Sequence, residues 1–205
     1  LKGKQFVVGD VLVDDVHGGE GTTDSIVFNS NAFDINGAVA WNLRSSGIER
    51  IAAGQAATGV LDIVLGASAS AAGITLIDYS ADTDANGANV IDVRANTGPF
   101  TITGGAGVET INAGQGNDVV DAGLQADSIT GRGGSDEFIQ NNGDSLAATA
   151  GPGALANNTN KFEATSTLTF GNGLDIITDF QSANDTVNVD TAGAATLIGE
   201  VATNT

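Results

Sequence analysis

The sequence predicts an all-β chain that winds short parallel strands into a flattened solenoid. Three observations predict it. From Gly104 the chain reads GGAGVETIN, AGQGNDVVD, AGLQADSIT, GRGGSDEFI, which is four consecutive blocks of nine with no slippage. Helical periodicity is nearly absent, and short β-rich runs are divided by Gly, Asn and Asp. The 205 residues include 25 acids, 7 basic residues and no cysteine. Stability must therefore come from something other than disulfides, and Asp-rich loops gain it when a divalent cation neutralises them.

The bulk numbers also exclude classes of function. A formal charge of −18 repels nucleic acid and suits a basic partner or bound cations. A hydrophobic share of 41%, much of it in short Val, Ile and Leu runs, argues for a folded chain rather than a disordered one. No apolar run nears the ~20 residues needed to span a bilayer. No signal peptide heads the chain, so it reads as a processed piece or a late segment of a longer protein.

Taken in order, residues 1–46 form an upstream β segment with runs at 6–8 and 25–28, the latter inside GGEGTTDSIVF. Residues 47–103 carry further strands at 61–65, 74–77, 90–93 and 100–103, spaced for a parallel solenoid. Residues 104–139 are the ninefold repeat. Residues 140–166, rich in Asn, Ala and Gly, are a loop or insertion. Residues 167–205 begin with a second ordered stretch, TLTFGNGLDIITDFQSANDTVNV, ending at Val189. Pro99 and Pro152 both adjoin glycine, where turns are expected.

Nine residues supply a six-residue turn and a three-residue strand. The eighth residue of each block, Ile111, Val120, Ile129 and Phe138, points inward. Two blocks make one full coil, so residue i lies over residue i+18. Asp118 and Asp136 then share one edge, and Glu109 and Asp127 the other. Glycine in the turns lets carbonyls face a common centre. Calcium takes 6–8 hard oxygens at roughly 2.3–2.6 Å, which carbonyls and stacked carboxylates can provide. Without metal, two carboxylates at ~4 Å repel by ~4 kcal/mol at an effective dielectric of 20. Folding is accordingly expected to be coupled to calcium.

These blocks resemble the RTX, or hemolysin-type calcium-binding, repeat GGxGxDxUx. The resemblance implies a right-handed parallel β-roll, calcium as cofactor in several copies, and export by type I secretion. It assigns Asp118, Asp127 and Asp136 as side-chain ligands, with Glu109 in place of the usual Asp. It adds the backbone carbonyls of Gly104, Ala106, Ala113, Gln115 and Gly134. Gln125 replaces the fourth Gly of its block and Arg132 the second, so the edge of Asp118 and Asp136 is expected to bind better. Further on, GNGLD (171–175) reads as one more loop, and ITDF (177–180) and NDTV (184–187) resemble the closing pattern of such regions. There Asp175, Asp179 and Asp185 are implied ligands. GIERIAAGQ from Gly47, TLIDYS, VIDVRA and FTITGGAG resemble the strands that precede RTX blocks in bacterial surface-layer proteins.

Weaker signals have plainer readings. Asp82, Asp84 and Asn86 match the first half of an EF-hand loop, but Val93 stands where the closing Glu belongs. An ordinary polar turn is the plain reading, with an extra calcium site as the alternative. Gly143-Asp144-Ser145-Leu146 spells the serine motif of an esterase family, and Asp14 and His17 have its Asp-x-x-His spacing, in reversed chain order. His17 is the only histidine and cannot build a multi-His zinc site. One Trp and one Tyr leave little surface for sugar stacking, and no Walker lysine follows the Gly-rich loops. No residue is assigned as catalytic.

The expected function is therefore a calcium-dependent structural protein of a Gram-negative-type bacterial surface, such as a surface-layer array, and not an enzyme. Self-association through calcium and anchoring to cell-surface polysaccharide are its expected partnerships. Two alternatives stand beside it. One is the C-terminal secretion and folding region of a secreted protease or lipase. The other is a calcium-dependent adhesin or biofilm module.

Overall fold

The computed structural model describes residues 45–53, 60–141, 143–144 and 175–189, with residues 18 and 24–28 and short strands at 7–8, 11–12, 16–17, 33–35, 149–150 and 168–169. In chain order the strands are β1 (Val7–Val8), β2 (Val11–Leu12), β3 (Val16–His17), β4 (Ser25–Phe28), β5 (Phe33–Ile35), β6 (Ser45–Ser46), β7 (Arg50–Ala53) and β8 (Leu61–Val64). There follow β9 (Leu76–Asp78), β10 (Ala88–Asp92), β11 (Thr101–Thr103), β12 (Val108–Asn112), β13 (Val119–Asp121), β14 (Ser128–Thr130) and β15 (Glu137–Gln140). The last are β16 (Thr149–Ala150), β17 (Leu168–Thr169), β18 (Ile176–Ile177) and β19 (Thr186–Val189). The one helical element among the described residues is a single 3-10 turn, Ser70–Ala72. No described helix is long and apolar enough to cross a membrane.

Two sheets organise these strands. One has the order β18-β14-β12-β10-β8-β5 and the other β19-β15-β13-β11-β9-β7-β4. Every pairing within them is parallel. From β7 to β15 successive strands alternate between the two sheets, and β18 and β19 resume the alternation. The all-β, parallel arrangement expected from the repeat is thus present. β16 and β17 pair antiparallel, so the interruption expected to be loop contains strand residues at 149–150.

The register shows how the chain length per layer changes. Arg50 pairs with Leu76, Leu76 with Thr101, and Asp62 with Val90, steps of 26, 25 and 28 residues. Ala88 pairs with Val108, a step of 20. Thr101 then pairs with Val119, Thr110 with Ser128 and Val119 with Glu137, each a step of 18. That is twice the repeat, as the spacing of the acids requires. After the interruption, Ser128 pairs with Ile176 and Glu137 with Thr186, so the same sheets continue across a gap in the chain.

Packing follows from this register. In one sheet Ile63, Ile91, Ile111, Ile129 and Ile177 are direct neighbours from strand to strand. In the other, Ile51, Ile77, Ile102, Val120 and Phe138 are. Apart from the half-buried Ile177, all are at most 3% exposed, and both rows join one core. β-branched side chains suit such rows because their restricted χ1 fits a pleated surface. Each buried Ile stabilises by roughly 1.5–3 kcal/mol relative to exposure. A nonapeptide strand contributes one such residue at its centre, so the repeat gains little apolar burial per layer.

Candidate metal centre

Each acid of the repeat stands at the start of its strand. Asp118, Asp127 and Asp136 immediately precede β13, β14 and β15, Asp175 and Asp185 precede β18 and β19, and Glu109 lies within β12. Position is set by the turn before it. Gly123 and Gly134 take φ of 91° and 121°, where a Cβ is strained. A Cβ on Gly134 would also lie 2.1 Å from the Gly116 carbonyl oxygen of the layer above. Gln125 and Arg132 keep the same left-handed turn, with φ of 87° and 72°.

The acids form two rows, each stitched to the next layer. In the first, the Glu109 N–H donates to Asp127 Oδ1 at 2.8 Å and the Asp127 N–H to Asp175 Oδ1 at 3.1 Å. In the second, Phe100 N–H donates to Asp118 Oδ1 at 2.7 Å, Asp118 N–H to Asp136 Oδ1 at 2.9 Å, and Asp136 N–H to Asp185 Oδ1 at 3.1 Å. The stacking of Asp118 over Asp136 and of Glu109 over Asp127 follows the predicted stride. Asp179 holds the turn at Gly131 and Arg132, accepting from both N–H groups. Glu109, Asp118, Asp127 and Asp136 are at most 2% exposed.

Burial of so many carboxylates shifts their titration. Loss of hydration pushes Glu109 up to about 7, against the relief of the Asn89 hydrogen bond and with the charge of Asp82 adding to it. Burial, then the charges of Glu109, Asp175 and Asp144, pushes Asp127 up to about 8. Asp136 rises to about 6 from burial and the charges of Asp118, Asp185 and Asp179. Asp118 and Asp175 also rise through burial, held back by backbone N–H donors. The metal-free rows are thus poor hosts for their own charge.

The donor set fits a hard cation. Glu109 Oε2 and Asp127 Oδ2 are buried and have no hydrogen-bond partner. An orphaned, charged oxygen in the interior costs several kcal/mol unless something neutralises it. Among the described residues, no backbone N–H donates to the carbonyls of Gly104, Ala106, Ala113, Gln115 or Gly134, whereas those of Gly105 and Gly114 are used. No three acidic or imidazole side chains converge among the described residues, so carbonyls must complete any shell. Asp118 has both oxygens bonded, to Phe100 and Gly114 N–H. The free buried oxygens lie on the Glu109–Asp127 edge, the one that carries Glu109 and Gln125 and was expected to bind less well.

Elsewhere the predicted residues divide. Asp82 Oδ1 accepts from Asp84 N–H, and Asp84 Oδ1 from Asn86 N–H, which closes an ordinary polar turn. Asp82 Oδ2 is taken by Asn89 Nδ2. Asp144 accepts from Asn141 N–H, while Ser145 and Asp14 lie outside the described residues. Composition and spacing did not single out Asn89 and Asn96. Asn96 Oδ1 accepts from Ser70 N–H, and both asparagines are fully buried. The signal for Asn89 was its register with Glu109, visible only once the step of 20 is known.

Residues 103–138 match the family model of the RTX calcium-binding nonapeptide repeat, in four copies, which covers 36 of the 205 residues. No curated protein and no solved structure matches the chain.

Proposed function

We propose that this chain is a calcium-binding structural segment of a secreted bacterial surface protein, in which calcium completes a right-handed β-roll. The family match supports calcium as the cofactor of residues 103–138. The observation that carries the reading is the pair of orphaned, buried carboxylate oxygens on Glu109 and Asp127, in a row whose first turn leaves the Gly104 and Ala106 carbonyls without a backbone N–H donor among the described residues. Bound there, calcium would neutralise the acids and tie one layer to the next. Glu109, Asp118, Asp127, Asp136, Asp175 and Asp185 would supply carboxylates, with Asp179 shaping the turn at Gly131 and Arg132. The loop carbonyls of Gly104, Ala106, Ala113, Gln115 and Gly134 would fill the remaining positions.

The exterior suits self-association through the same ion. A charge of −18 keeps copies apart until cations screen or bridge their acidic faces. A surface-layer or similar array, with contact to surface polysaccharide, is the setting this favours, and no catalysis is assigned to the segment. Chelation followed by circular dichroism and light scattering tests the reading. A weakened β signal and loss of assembly with EGTA, both restored by calcium, is the expected result. Spectra and particle size indifferent to EGTA would overturn it.

A further inference from the structure

Asn89 stands at the head of the first acidic row. It pairs in register with Glu109 and is 1% exposed. Its Oδ1 accepts from the Leu61 N–H at 2.9 Å. Its Nδ2 donates to Asp82 Oδ2 at 2.9 Å and to Glu109 Oε1 at 2.8 Å. Two N–H hydrogens therefore lie between two carboxylates, where a bound cation would otherwise neutralise them. The amide is neutral, and both hydrogens and the carbonyl oxygen are used.

The same contrast holds on either side of this residue. Before residue 104, the buried amides and carboxylates have partners, Asp82 among them through Asp84 N–H and Asn89 Nδ2. Asn96 Oδ1 accepts from Ser70 N–H and its Nδ2 donates to the Val93 carbonyl. Asp92 is paired with Arg94. Beyond it, Glu109 and Asp127 each leave an oxygen orphaned. The apolar core divides the same way: among the described residues, 14 of its 20 buried members precede residue 104 and 6 follow it. Hydrophobic burial can therefore hold the first part without help, and much less of it is available to the second.

We infer that Asn89 ends the cation-dependent row, so that β7 to β11 stay folded without calcium and offer β10 and β11 as preformed edges on which calcium assembles β12 to β15, β18 and β19. This rests on the calcium coupling proposed above. Parallel strands added to an existing edge avoid the loop-closure cost of starting a new sheet.

Hydrogen exchange read by mass spectrometry on the full chain tests it, with EGTA and with saturating calcium. In EGTA, peptides spanning 48–53, 61–65, 74–79 and 88–93 are expected to stay protected. Those spanning 108–140 and 176–189 should exchange at least about tenfold faster than with calcium. Equal loss of protection in both groups would overturn the inference and leave calcium coupling intact. Unchanged protection in both would remove the calcium coupling itself. The variant N89D sets a third carboxylate against Asp82 and Glu109, and should make protection of 61–65 and 88–93 calcium-dependent. If N89D keeps that protection in EGTA, Asn89 does not have the role assigned to it.

Discussion

At Gln125 and Arg132 the backbone takes φ of 87° and 72°, a region that costs a non-glycine residue roughly 1–2 kcal/mol. Arg132 also buries its Nε without a partner. Gln125→Gly should therefore stabilise the calcium-loaded protein by about 1 kcal/mol, seen as a higher denaturant midpoint; an unchanged or lower midpoint would show that the turn carries no strain. The buried acids make a second prediction, concerning pH. Glu109 and Asp127 rise from ordinary values of 4.5 and 3.8 to about 7 and about 8 in the metal-free fold. A raised pKa means the native state holds more protons than the unfolded one between those values. Their contribution is complete below pH ~4, is lost as pH rises, and is gone above pH ~8. Thermal melts in EGTA should then rise as pH falls from 8 to 5, while melts in excess calcium should not. A calcium-free melting temperature that falls on that acidification contradicts the burial argument.

Among the strands, the ninefold stride predicted the step of 18 and hence which acids stack. It did so because turn and strand lengths are fixed in every block from Gly104 to Ile139. The upstream layers use steps of 25 to 28, set by connections of irregular length. No stride in the sequence marks Asn89 as the neighbour of Glu109, and an amide in place of an acid leaves no charge pattern to follow. The continuation at Asp175 and Asp185 was legible from GNGLD and NDTV, but their register with Asp127 and Asp136 depends on where the interruption returns the chain. The use of one oxygen per acid as an acceptor for the next layer's N–H was not legible either, because it depends on turn geometry. This linkage predicts a split phenotype for Asp127→Asn. The amide oxygen can still accept from Glu109 N–H, and one buried charge is gone. The melting temperature in EGTA should rise, and the further gain on adding calcium should shrink. A variant with a full calcium gain would remove Asp127 from the ligand set.

Considered whole, the chain combines one continuous pair of parallel sheets with two sources of cohesion. Most of the described apolar core and the neutral amides lie in the layers up to β11, and the acidic rows, with orphaned oxygens at Glu109 and Asp127, lie in those after it. On the proposed reading its charge of −18 has a use, since an ion that folded the roll would also lower repulsion between copies. Particle size in a calcium titration should accordingly grow only after the β signal of the roll has formed; growth that precedes it would detach assembly from folding. The most direct measurement is anomalous diffraction from crystals grown with calcium or a lanthanide substitute. Metal peaks are expected between successive turns, at Glu109 and Asp127 and at Asp118 and Asp136, repeating at the strand spacing of ~4.8 Å. Turns free of anomalous signal, with the carboxylates still bonded only to backbone N–H groups, would contradict the account.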